Sequence, residues 1–161
     1  MARRFNYAPG ASDDVARAAQ PDLSGADVLL LSRSRNSVVR STIAERPDLP
    51  LSIVVALTSD SDVNVRAAIA ANTHVAVGVL EELAGDRQVA VVSAVIDNPH
   101  TPLGALEHLT GHKKAEIRIR AKARVEQAAS APSPAGSSAS PTQGVVPGQT
   151  FAARATDLFQ G

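Results

Sequence analysis

Residues 89–109 read VAVVSAVIDNPHTPLGALEHL, two apolar runs separated by Asn98-Pro99-His100-Thr101-Pro102. Moving back 26 residues gives VNVRAAIAANTHVAVGVLEEL at 63–83, and another 26 gives SVVRSTIAERPDLPLSIVVAL at 37–57. No gap is needed. Leu31, Leu57, Leu83 and Leu109 fall into one column, as do Val39, Val65, Val91 and Ile117. Ile43, Ile69, Val95 and Ala121 make a third, and Val54, Leu80 and Leu106 a fourth. Agreement of several columns at one spacing marks an internal repeat, which decides the fold class before any other feature.

Each unit reads as two short helices. Val65, Ala68 and Ile69 lie at i, i+3 and i+4, one face of a helix. Asp60 and Asp62 precede it, where carboxylates can accept from free backbone N–H groups. A turn rich in Pro, Asn and Thr follows, and Val79, Leu80 and Leu83 then form a second apolar stripe. In the next unit Thr101 is placed to cap the second helix and Pro102 to begin it. A unit this short cannot bury its apolar face alone, so neighbours must stack. The four aromatic residues, Phe5, Tyr7, Phe151 and Phe159, all lie near the ends. The repeats therefore build their core from Ala, Val, Ile and Leu.

The ends of the array depart from the pattern as terminal repeats do. Residues 18–31 match the second half of a unit, but Arg17 stands where Ile43 is expected to be buried. The stretch Lys113 to Glu126 keeps Ile117 and Ala121 yet carries six basic and two acidic residues. The expected fold is all-α: a solenoid of about four 26-residue units of paired short helices over 13–126. A flexible N-terminus at 1–12 precedes it. An Ala/Ser/Pro/Gly linker at 127–149 follows, too polar and too simple to build a core, and a short amphipathic motif at 150–161 ends the chain.

These columns resemble the leucine-rich repeat variant family, bacterial helical repeats akin to HEAT and armadillo arrays. The matches are Val39-Arg40 and Val65-Arg66 in the first helix and Asn98-Pro99-His100-Thr101-Pro102 at the turn. Val79-Leu80-x-x-Leu83-Ala84 and Leu83-Ala84-x-Asp86 match at the end of the second helix. They cover roughly residues 18–126. The resemblance implies alternating α and 3₁₀ helices in a right-handed superhelix, and no particular activity. A cysteine-ligated iron–sulfur module accompanies the repeats in at least one member of that family; this chain has no cysteine.

Function follows from what the chain carries. Lys+Arg and Asp+Glu balance at 16 each, so no global charge pulls it towards nucleic acid or membrane. The absence of cysteine removes disulfides, thiolate metal sites and cysteine nucleophiles and fits a cytoplasmic location. The N-terminal arginines lack a following apolar stretch, so no secretory signal is expected. Val28 to Leu31 is far too short to cross a bilayer. No catalytic motif is present, and no cofactor or metal is expected. Asp48, His74 and His100 share a turn position, but successive units lie roughly 10 Å apart, too far to share one ion. His108 and His112 are four apart without the glutamate of a zinc protease between them.

Binding candidates remain. Arg40, Arg66 and Arg118 form a column that Val92 interrupts: either a basic ladder facing a partner or an internal ladder pairing with Asp60 and Asp86. Arg118, Arg120, Lys122 and Arg124 could touch phosphates or an acidic protein, or simply solvate the end of the array. In the last segment, Phe151, Ala155, Leu158 and Phe159 sit at i, i+4, i+7 and i+8, one apolar helical face on a flexible tether: either a recognition peptide for another molecule, a tail that docks on its own repeats, or a tail without a role. The expectation is a non-catalytic protein-binding or adaptor module with a protein partner. A nucleic-acid-associated protein is the alternative.

Overall fold

The computed structural model describes residues 11–130, with side chains from Asp13 onward. Among them all regular structure is helical. Nine α-helices follow one another: α1 Ala11–Ala18, α2 Gly25–Leu31, α3 Ser37–Ala44, α4 Leu51–Thr58, α5 Val63–Ala71, α6 Val77–Ala84, α7 Val89–Asp97, α8 Leu103–Leu109 and α9 Ala115–Ser130. First helices (odd numbers) and second helices (even numbers) alternate. α1 packs on α3, α3 on α5, α5 on α7 and α7 on α9, while α4 packs on α6 and α6 on α8.

The columns read from the sequence are the core. Val39, Val65, Val91 and Ile117 are fully buried, as are Ile43, Ile69, Val95 and Ala121. The leucines Leu31, Leu57, Leu83 and Leu109 are buried from the second-helix side, beside Val28, Val54, Leu80 and Leu106. Ala18, Ala44, Ala70 and Ile96 add a further buried column at the end of each first helix. The three alanines of this column let the first helices that carry them pack closely on their neighbours.

Three expectations are corrected. The resemblance implies 3₁₀ geometry for the second helix, but α4, α6 and α8 are α-helices. Tighter i→i+3 bonds appear at their first turns: Ile53 N–H to Pro50 O at 2.9 Å, Val79 to Ala76 at 2.9 Å, Ala105 to Pro102 at 3.0 Å. Each then continues as α, in α4 and α8 already from the cap carbonyl, with Val54 N–H to Pro50 O at 3.1 Å and Leu106 to Pro102 O at 3.2 Å. Thr101 does not cap α8. Its buried hydroxyl donates back to the Val95 carbonyl of the first helix, and Pro102 takes the cap position without a side-chain bond. Finally, α9 continues to Ser130, through residues 127–130 that the sequence reading gives to the linker. Ala128 and Ala129 are strong helix formers.

Arg17, in the place of a buried isoleucine, is exposed and paired with Asp27. No helix among the described residues is long and apolar enough to cross a membrane.

Candidate functional site

Where each polar side chain is used decides which of them remain free for a partner. At the turn after each first helix, one column holds Arg46, Asn72, Asn98 and Arg124, and it forms a buried ladder. Asn72 Nδ2 donates to the carbonyls of Ala44 and Arg46 at 2.8 and 2.7 Å. Asn98 Nδ2 repeats this one unit on, to Ala70 and Asn72 at 2.8 and 3.1 Å. Each Oδ1 turns the other way and accepts its own turn's amide, from His74 at 2.8 Å and His100 at 2.9 Å. Arginines extend the ladder at both ends. Arg46 donates to the carbonyls of Gln20 and Pro21, and Arg124 Nε to Ile96 O at 3.0 Å. Helix-end carbonyls that would otherwise be buried without partners are thus satisfied from the next unit. No buried side-chain nitrogen or oxygen among the described residues lacks a partner.

The opposite end of the first helices carries the arginine column. Arg40 Nε and Nη2 grip both oxygens of Asp60 at 2.7 and 2.8 Å, and Arg40 Nη1 donates to Ser34 O at 2.7 Å. Arg66 does the same with Asp86, at 2.7 and 3.3 Å, and with Asp60 O at 2.7 Å. These side chains are mostly shielded from water; Arg66 and Asp86 keep 16% and 11% exposure. Burial pushes the Asp60 and Asp86 carboxyls up. The arginine hydrogen bonds, the amides of Asp62 and Gln88 and the nearby positive charges outweigh it and hold both below the usual carboxylate range. Arg40 and Arg66 therefore form the internal ladder, not a basic face: every guanidinium nitrogen is engaged.

The ladder stops in a coordinated way. In the third unit the arginine position is Val92, fully buried, and the position of its aspartate partner is His112. Both members of the pair change together. His112 keeps the local task of the aspartates: its Nδ1 accepts from Lys114 N–H at 3.1 Å, as Asp60 accepts from Asp62 and Asp86 from Gln88. For Arg118 the position 20 residues on lies outside the described residues. It donates to the carbonyls of His112 and Lys113, both at 3.0 Å, the first being the contact that Arg40 makes to Ser34 O and Arg66 to Asp60 O.

Most basic side chains of α9 also have partners within the fold. Arg120 pairs with Asp97 at 2.5 Å, and Arg124 closes the asparagine ladder. Of the four residues Arg118, Arg120, Lys122 and Arg124, only Lys122 is exposed without a polar partner among the described residues. His74, His100 and His108 are exposed. Among the described residues no group of three or more His, Cys, Asp or Glu is placed to hold a metal ion. Phe151, Ala155, Leu158 and Phe159 lie outside the described residues.

Sequence reasoning missed the surface that is free. Leu51, Val77 and Leu103 open α4, α6 and α8, at one position of the repeat, and are 67%, 46% and 47% exposed. One turn on, α4 adds exposed Val55, where α2 has Leu29 and α6 and α8 have Glu81 and Glu107. Beside these stand Leu30, Ala56, Glu82 and His108, again one position per unit. The signal was legible as a fifth apolar column, Leu51, Val77 and Leu103, out of phase with the buried stripe. No protein-family model matches the chain, and neither a curated protein nor a solved structure does.

Proposed function

We propose that the chain is a non-catalytic protein-binding or adaptor module. In this reading it is a right-handed helical-repeat solenoid of the leucine-rich repeat variant kind, cytoplasmic, carrying a tethered C-terminal motif around Phe151, Ala155, Leu158 and Phe159. The observation that carries it is the outward face of the second helices. Their inward positions stay aliphatic in every unit, while the outward positions pass from Leu51-Ser52-x-x-Val55-Ala56 to Val77-Gly78-x-x-Glu81-Glu82 and Leu103-Gly104-x-x-Glu107-His108. Large aliphatic side chains kept exposed at repeat spacing are what an interaction surface requires and what solubility disfavours. Nucleic acid is the weaker reading, because Arg40, Arg66 and Arg124 are spent on carbonyls and carboxylates of the fold and Arg120 is paired with Asp97 at the surface.

The test is affinity capture with cross-linking, using the immobilised full chain, its Leu51→Ser/Val55→Ser variant and its Phe151→Ala/Phe159→Ala variant. Proteins held by the parent and lost from either variant support an adaptor with that contact. Identical recovery from all three contradicts it.

A further inference from the structure

The chemistry of the partner can be read from the same face, an inference that rests on the protein-binding reading. α4, α6 and α8 contain no lysine or arginine, and their only acidic side chains are Glu81, Glu82 and Glu107. All three are exposed, and none makes a side-chain hydrogen bond or ion pair among the described residues. The aspartates of the first-helix loops, by contrast, are held by arginines. Unpaired acids bordering an aliphatic band mark complementarity to a ligand that is apolar on one side and basic beside it.

Spacing narrows the choice. Because α4 packs on α6 and α6 on α8, Leu51, Val77 and Leu103 follow one another about one interhelical distance apart, roughly 10 Å. A helix laid across them advances that distance in about seven residues, at 1.5 Å per residue. An aliphatic residue at each seventh position therefore meets successive second helices. Glycines keep the path open. A Cβ added to Gly78 or Gly104 would meet nothing within 4 Å, and neither has a left-handed backbone. Glycine disfavours helix relative to alanine, and nothing within the fold requires it here. Its effect is to bare the backbone between the two outward rows, so that another helix can approach closely.

We infer that the outward face of α4, α6 and α8 binds an amphipathic helix of another protein, with aliphatic residues at heptad spacing on Leu51, Val55, Val77 and Leu103, and lysine or arginine beside them on Glu81, Glu82 and Glu107.

The probes are three labelled 21-residue synthetic helical peptides. One carries a leucine heptad face with a lysine edge, one the same face with a glutamate edge, and one the lysine edge with its leucines scrambled. Anisotropy is read against the full chain. The first peptide binds, and the other two are at least about tenfold weaker, a difference of about 1.4 kcal/mol. Glu81→Lys/Glu82→Lys/Glu107→Lys reverses the preference between the lysine and glutamate peptides, and Leu51→Ser/Val55→Ser weakens the first by a similar factor. Unchanged circular dichroism melting shows that both variants fold. Equal binding of the lysine and glutamate peptides overturns the inference, as does equal binding of the scrambled one or indifference to either variant. Concentration-dependent self-association of the parent, abolished by Leu51→Ser/Val55→Ser, overturns it in favour of a second copy. If the peptides fail while captured proteins remain sensitive to Leu51→Ser/Val55→Ser, the partner chemistry is wrong and the protein-binding reading stands.

Discussion

First and second helices use their polar groups in opposite ways. α3 and α5 start on Asn36 and Asp62, whose side chains accept the amides of Val38 and Asn64. They end on the Asn72 and Asn98 ladder, and Arg40 and Arg66 tie each unit to the loop of the next. α4, α6 and α8 start on Pro50, Ala76 and Pro102 with no side-chain cap. None of their side chains is hydrogen-bonded to another unit among the described residues. The first row thus fixes register between units by directional bonds, and the second row contributes mainly its inward aliphatic stripe. Directional bonds tolerate little change, whereas an outward face that takes no part in them is free to take up binding.

The sharpest way to break this contrast is to remove a rung. Asn98→Ala leaves the Ala70 and Asn72 carbonyls buried without their donor, at about 1–3 kcal/mol for each unsatisfied group. A loss of about 3 kcal/mol in urea unfolding is expected. A loss under about 1 kcal/mol would mean that water replaces the amide and that the ladder does not fix register.

The arginine column offers a smaller, coupled effect. Arg66→Val strands the shielded Asp86 carboxylate and is expected to cost about 2 kcal/mol. Adding Asp86→His reproduces the Val92 and His112 arrangement of the third unit, and should recover at least half of that loss. Additive losses in the double-mutant cycle would show that the paired change in the third unit has no energetic basis.

The same pairs set a pH dependence. The folded carboxyls of Asp60 and Asp86 lie below their unfolded values. Their stabilisation is complete above the unfolded value, about 3.9, and is lost as pH falls through the lower folded value. Denaturant midpoints should therefore decline below about pH 4, and less steeply in the Arg66→Val/Asp86→His variant. Equal slopes would remove the pairs from the account.

Much of the first row was legible because burial repeats. Val39, Val65, Val91 and Ile117 sit at one spacing and one side-chain class, so a 26-residue shift exposes them. Pairing of Arg40 with Asp60 and of Arg66 with Asp86 was legible as one of two readings, since a column of arginines with acids 20 residues on fits both a ladder and a basic face. The asparagine ladder was not legible. Arg46 and Arg124 occupy the ends of the column that Asn72 and Asn98 fill, and their common task, donating to the preceding unit's carbonyls, shows only once the backbone is in place. The second-helix surface escaped for another reason: Leu51, Val77 and Leu103 are aliphatic like the core residues beside them, and only their phase against the buried stripe sets them apart.

The smallest effect on stability is expected where the effect on binding is largest. Leu51→Ser/Val55→Ser changes exposed positions, so its unfolding free energy should stay within about 0.5 kcal/mol of the parent. A paired measurement on this one variant, chemical unfolding alongside anisotropy with the lysine-edged heptad peptide, tests the division between the two rows most directly. Unchanged unfolding with peptide affinity reduced at least about tenfold is the predicted result. A loss of stability comparable to that of Asn98→Ala, or unchanged affinity, would contradict it.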